Sequence, residues 1–226
     1  MNTERGKEII ISYGNLSSSS SSLSSIKLYV DMKVGLGGGV LIIYIHIWII
    51  INNNNNNHKG DKWPAAELFI SFITDNRWKK FFKNLFNNKR VIELGAGTGL
   101  GGMVVDKEFN PIEIIVSDIG DHVEHMNYNI KLNNLKKCKS IELDWFNNNG
   151  NNNIIGTYDI IIALECVYKD ELFEHFIKTM DTLSKSSTII FLGLTRNFQN
   201  GKQIFWEILK NYNFYYTMIP QESLPI

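Results

Sequence analysis

The densest chemistry in the chain lies in Val91-Ile92-Glu93-Leu94-Gly95-Ala96-Gly97-Thr98-Gly99-Leu100, an apolar run that breaks into glycines and resumes with helical spacing. Glycines at such a strand-to-helix junction let backbone N–H groups approach a ligand closely at the helix N-terminus. Two ligand classes compete for the loop. A nicotinamide dinucleotide would use Asp118, which follows Gly97 at about the 20-residue spacing of a ribose-binding acid. The third glycine of G-x-G-x-x-G, however, would fall at position 100, which is leucine, and Glu93 stands just before the glycines. A carboxylate there repels a pyrophosphate and attracts a cation. S-adenosyl-L-methionine carries a sulfonium and an ammonium and no phosphate, so the loop favours this methyl donor. A tight turn with Glu93 merely solvated explains less of so dense a motif.

Other reactive side chains offer little. His122 and His125 share a predicted helix but have no third ligand nearby, so no metal site is expected. Cys166 has no histidine placed to activate it, and an inert thiol is the expectation. Lys136, Lys137 and Lys139 make a small basic cluster that reads as a solvated face.

The elements that must position the glycine loop follow a regular pattern. Helical spacing is expected over Ala65–Ile73 and Arg77–Phe86. Short apolar runs at Arg90–Leu94, Ile112–Ser117, Ser140–Leu143, Tyr158–Leu164 and Thr188–Leu194 then alternate with helical patterns at Leu100–Phe109, Asp121–Asn134, Glu171–Ser184 and Gln199–Asn211. Phe214–Ile219 offers one further strand. Such alternation predicts an α/β fold, a doubly wound and mostly parallel sheet with helices on both faces. Ser17–Ser25, Asn52–Asn57 and Asn147–Asn153 are low-complexity polar tracts that cannot bury apolar surface and read as loops. The expected division is an N-terminal arm over 1–62 and a catalytic domain over 63–226.

Composition narrows the function classes. Of 226 residues, 23 are basic and 23 acidic, which removes the bulk attraction that drives non-specific nucleic-acid binding and the polybasic signal for anionic membranes. Val40–Ile51 is the one membrane-like run, and it is shorter than the roughly 20 residues a spanning helix needs. Its isoleucines favour extended structure. Two cysteines are too few for a disulfide scaffold, so a reducing, cytoplasmic setting is expected.

Four motifs in order, W-P-A-A at 63–66, ELGAGTGL at 93–100 with SD at 117–118, LDW at 143–145 and ECVY at 165–168, resemble the class I, seven-strand S-adenosylmethionine-dependent methyltransferases. Within them the chain is similar to the methyltransferase-like 21 group of protein-lysine methyltransferases, and above all to a member that acts on a AAA ATPase. The resemblance implies roles residue by residue. Gly95, Ala96 and Gly97 would lie against the methionine part of the donor and Asp118 would take the ribose hydroxyls, unless Asp118 only caps the next helix. Trp145 would contact the adenosine end and Trp63 would close over the donor, while the role of Asp144 stays open. Glu165 and Tyr168 would line the slot for the incoming lysine. Leu164 replaces a residue often small beside the adenosine, which leaves its contact open. A protein substrate, a AAA ATPase or a chaperone, is implied, with the enzyme a monomer. Alternatives are methyl transfer to another nitrogen, in a small molecule or a histidine, or a non-catalytic binding module on the same fold.

Two departures from the resemblance stand out. Val40–Lys62 separates Ile26–Gly39 from Trp63, where the relatives run almost directly on. The relatives also continue into a last strand beyond the segment resembling residues 219–223. A missing strand would leave an open sheet edge.

Overall fold

In the computed structural model the described residues are 8–13, 24–29, 45–52, 64–147, 156–166, 169–195, 203–212, 214–219 and 223–224. The polar stretches 17–23, 53–57 and 148–153 lie outside them, as do Trp63 and Tyr168. The chain forms two compact units, Met1–Tyr44 and Ile45–Ile226. In the first, β1 (Glu8–Tyr13) pairs antiparallel with β2 (Ser24–Tyr29), Glu8 opposite Tyr29 and Tyr13 opposite Ser24.

The second unit runs β3 (Ile45–Asn52), α1 (Pro64–Thr74), α2 (Lys79–Phe86), β4 (Arg90–Leu94) and α3 (Leu100–Glu108). It continues with β5 (Glu113–Asp118), α4 (His122–Leu132), β6 (Cys138–Glu142) and β7 (Ile160–Leu164). Last come α5 (Phe173–Leu183), β8 (Ile189–Thr195), α6 (Gln203–Leu209) and β9 (Phe214–Met218). The strand order is β6-β5-β4-β7-β8-β3-β9, and every described pairing in this sheet is parallel. From β4 the chain winds outward to β5 and β6, then returns to β7 on the other side of β4. That reversal opens a crevice at the carboxyl ends of the strands, where open α/β sheets bind ligands.

Alternation along each strand explains the two helical layers. Ile92, Leu94, Ile161, Ala163, Ile190 and Leu192 join Phe173, Phe176 and Phe205 of α5 and α6 in one buried cluster. The opposite face carries Val91, Val116 and Phe191. There the ring of Phe191 meets Phe69 of α1 and Phe82 and Phe86 of α2, at centroid separations of 5.5, 6.1 and 6.0 Å. Each ring so buried contributes about 1.5–3 kcal/mol. All five residues of β7 are buried, as a strand covered on both faces requires.

The isoleucine run corrects the expected domain division. Ile45–Asn52 is a strand of the main sheet, between β8 (His46 opposite Ile189, Asn52 opposite Thr195) and β9 (Ile45 opposite Phe214). The boundary expected at 62/63 therefore falls at 44/45. The sheet has seven strands among the described residues. A β-branched apolar run with no polar alternation suits an internal parallel strand. The two edges among the described strands are β6 and β9, and at β9 Tyr215, Tyr216 and Met218 are exposed.

Candidate active site

The site grows from the carboxyl end of β4. Gly95, Gly97 and Gly99 all have positive φ (59°, 55° and 79°), a conformation open to glycine at little cost. At Gly95 space as well as conformation demands glycine: an added Cβ would lie 2.5 Å from Cys166 Cβ and 3.2 Å from the Trp145 ring. The loop is tied to β5 by the Ala96 N–H donating to the Ser117 carbonyl (2.9 Å) and the Gly97 N–H donating to Asp118 Oδ2 (2.7 Å). Asp118 Oδ1 accepts the Ile119 N–H at 2.8 Å. The aspartate is thus held at the mouth of the crevice by two backbone donors. It does not cap α4, whose N-cap position is Asp121 with no side-chain capping bond.

Glu93 lies beneath the loop, 2% exposed, on the face of β4 that meets α3. Its Oε2 accepts the Gly102 N–H at 2.7 Å, and Ser117 Oγ donates to its carbonyl at 2.7 Å. Gly101 and Gly102 make room for it, since an added Cβ at 101 would stand 2.5 Å from Glu93 Oε1. Burial, opposed by the Gly102 bond and reinforced by the Asp118 charge, pushes the Glu93 carboxyl up to about 7.

Trp145 opens a short 3-10 turn after β6, and its ring packs on Phe176 at 5.0 Å. Asp144 Oδ1 accepts the Phe146 N–H (2.9 Å), which shapes that turn. At the end of β7, Glu165 has φ +55° and its N–H donates to the Gly193 carbonyl at 2.9 Å. Its Oε2 accepts the Ala65 N–H of α1 at 2.8 Å, and burial raises its carboxyl above the ordinary range. Cys166 is buried with a free thiol that burial pushes far up, so it is no nucleophile at neutral pH.

These side chains surround one cavity of about 340 Å³, a size ordinary for a small-molecule site. Glu93, Gly95, Ala96, Gly97 and Asp118 line one part of it, and Trp145, Leu164 and Glu165 another. Trp63 and Tyr168 belong to the undescribed residues. Ile119, Phe146, Lys169 and Glu171 also line the cavity and escape the motif reading. Their one signal is adjacency: each stands within a few residues of Asp118, Trp145 or Tyr168.

The donor set decides between ligand classes. Five carboxylates line the cavity (Glu93, Asp118, Asp144, Glu165 and Glu171), against Lys169 as the one lysine or arginine among the described lining residues. A pyrophosphate would face that charge unfavourably, whereas a cationic nucleoside is matched by it. The residues present therefore fit S-adenosylmethionine, with Asp118 for the sugar hydroxyls and the glycine loop for close backbone approach.

Fold and cleft together have the form of a class I, Rossmann-like methyltransferase domain, with a cavity suited to S-adenosylmethionine. A family model described as lysine methyltransferase matches residues 46–211, from the start of β3 to just beyond α6, and the chain belongs to that family. It is similar to the calmodulin-lysine N-methyltransferase of Arabidopsis thaliana, 28% identical over 165 residues, covering 70% of this chain and 51% of that protein. It is also similar to the protein-lysine methyltransferase METTL21E of Mus musculus, 32% identical over 143 residues, covering 58% and 54%. With the protein N-lysine methyltransferase METTL21A of Danio rerio it shares 27% identity over 158 residues, covering 67% of each. The chain spans about half the length of the first two relatives.

Proposed function

We propose that this chain transfers methyl groups from S-adenosylmethionine to a lysine side chain of a protein substrate. The observation that carries the reading is the acid-lined cavity built on the glycine loop and Asp118, in a chain of the lysine methyltransferase family. Bound there, S-adenosylmethionine would supply a methyl group to a neutral amine, the carbon–nitrogen bond forming as the carbon–sulfur bond breaks and S-adenosylhomocysteine leaves. Asp118, fixed by the N–H groups of Gly97 and Ile119, accepts the ribose hydroxyls in charge-assisted bonds. Trp145 offers an aromatic face to the adenosine end. Glu93 sets a carboxylate behind the loop, opposite the cationic part of the ligand.

The amine needs more help than the donor. A lysine of ordinary pKa near 10.4 costs about 4.6 kcal/mol to present as a neutral amine at pH 7. A partly desolvated slot lowers that cost by disfavouring the ammonium. Glu165, with Oε2 engaged by Ala65, orients the incoming ammonium through Oε1, and Tyr168 is a candidate for this slot only by its match to the family motif. Held geometry then replaces a chance encounter.

The substrate is a protein, a AAA ATPase or chaperone by the sequence resemblance, and the enzyme acts as a monomer. A reducing cytoplasm agrees with Cys138 and Cys166, both free. The test is radiolabelled methyl transfer into a cell lysate, followed by mapping of the modified residue, beside calorimetry with S-adenosylhomocysteine. Label on lysine of one protein is the expected result. Label on a nitrogen other than lysine overturns the lysine assignment, and no binding of S-adenosylhomocysteine overturns the donor site.

A further inference from the structure

Two motifs that look independent in the sequence are joined by one bond. Glu165 and Ala65 are 100 residues apart, yet Glu165 Oε2 accepts the Ala65 N–H at 2.8 Å. The first N–H groups of a helix have no partner within it, and Pro64, the first residue of α1, has none to offer. The Ala65 N–H is then the first orphan donor of α1, and a carboxylate at that end is favoured by the helix dipole as well. Glu165 thus does for α1, from another element, what a capping side chain ordinarily does from within the chain.

The surroundings make this bond consequential for the cavity. Ala65 is fully buried against β8: an added Cβ at Gly193 would stand 3.1 Å from Ala65 Cβ and 3.0 Å from Leu164 Cδ2. The next residue, Ala66, lines the cavity, as Leu164 and Glu165 do. Glu165 is itself set in a left-handed backbone conformation, rare for a side chain with a Cβ, while its N–H is fixed to the Gly193 carbonyl. One residue therefore holds β8 through its backbone and α1 through its side chain, and Ala66, next to the clamped Ala65, stands in the cavity wall.

We infer that Glu165 is a positioning residue: its carboxylate clamps the start of α1 onto the carboxyl edge of the sheet, and the donor cavity takes its shape only when that clamp is closed. The inference rests on the donor-site reading above and deepens it, since the same side chain that faces the substrate amine assembles the wall behind it. The clamp needs an acceptor oxygen first and gains only a smaller share from the charge, so glutamine keeps most of it and alanine none.

Glu165→Gln and Glu165→Ala separate the two roles. Hydrogen exchange of the α1 amides reads the clamp directly, with no catalysis involved. Wild type and Glu165→Gln are expected to protect the first turn of α1 nearly equally, and Glu165→Ala to exchange it at least tenfold faster while the α5 amides stay unchanged. Calorimetry should find S-adenosylhomocysteine bound about tenfold more weakly by Glu165→Ala and nearly as tightly as wild type by Glu165→Gln. Unchanged α1 exchange in Glu165→Ala, or unchanged affinity, overturns the inference. If wild type fails to bind S-adenosylhomocysteine at all, the donor reading falls, and the exchange data still decide whether the clamp exists.

Discussion

Glu93→Gln tests the electrostatics of the site most sharply. The carboxyl of Glu93 titrates near 7 in the folded chain, against an ordinary value of 4.5. Below pH 4.5 both folded and unfolded chains carry the proton, and Glu93 takes nothing from stability. As pH rises from 4.5 to 7 the unfolded chain sheds its proton first, so the fold loses stability throughout that window and no further above it. At 1.36 kcal/mol per pH unit the full loss is about 3 kcal/mol, most of which falls between pH 5 and pH 8. Glutamine keeps an acceptor for the Gly102 N–H and cannot ionise. Urea unfolding of wild type and Glu93→Gln at pH 5 and pH 8 gives the comparison, and subtracting the variant removes every other titrating group. Wild type should lose about 2–3 kcal/mol more than the variant over that range. A difference below about 0.5 kcal/mol, or one of opposite sign, refutes the argument that burial governs this carboxylate. A cation in the cavity favours the ionised form, so S-adenosylmethionine should bind wild type more tightly at pH 8 than at pH 6, with the pH dependence smaller in the variant.

Two further outcomes follow from steric and backbone constraints. Gly95→Ala places a Cβ against Cys166 and Trp145 in a left-handed conformation, and should destabilise the fold by about 2–3 kcal/mol in urea while abolishing binding of S-adenosylhomocysteine in calorimetry. A variant as stable as wild type would show that the loop has room to spare. Ile49→Pro removes a ladder N–H from a strand paired on both sides, to Leu192 and Met218, and should lower the urea midpoint sharply or prevent soluble expression. A wild-type midpoint would remove β3 from the sheet.

The core of the fold was legible because its signals are local. Strand β4 begins and ends where the run Arg90–Leu94 predicts, and the helices at Pro64–Thr74 and Leu100–Glu108 match their spacing to within a residue. The helix expected from Gln199 is described only from Gln203, and the one expected from Glu171 opens with a 3-10 turn before Phe173. Strand β3 was not legible as part of the domain, because its partners lie more than 140 residues away and an asparagine tract follows it. The bond between Glu165 and Ala65 was hidden by a separation of 100 residues. The burial of Glu93 did leave a trace. Two adjacent glycines at 101 and 102 inside a helix are costly for the helix, and they are explained by the carboxylate lying beneath them.

The insertion of β3 between β8 and β9 bears on how the protein is made. At about 5–20 residues per second, the ribosome delivers Ile45–Asn52 roughly 7–30 s before the strand it must lie beside. For that interval an isoleucine-rich segment waits without its neighbours, exposed to other nascent chains. Yield in the cell will then depend on translation speed and on chaperones that shelter the waiting segment, and a slower messenger should cost soluble protein rather than improve it.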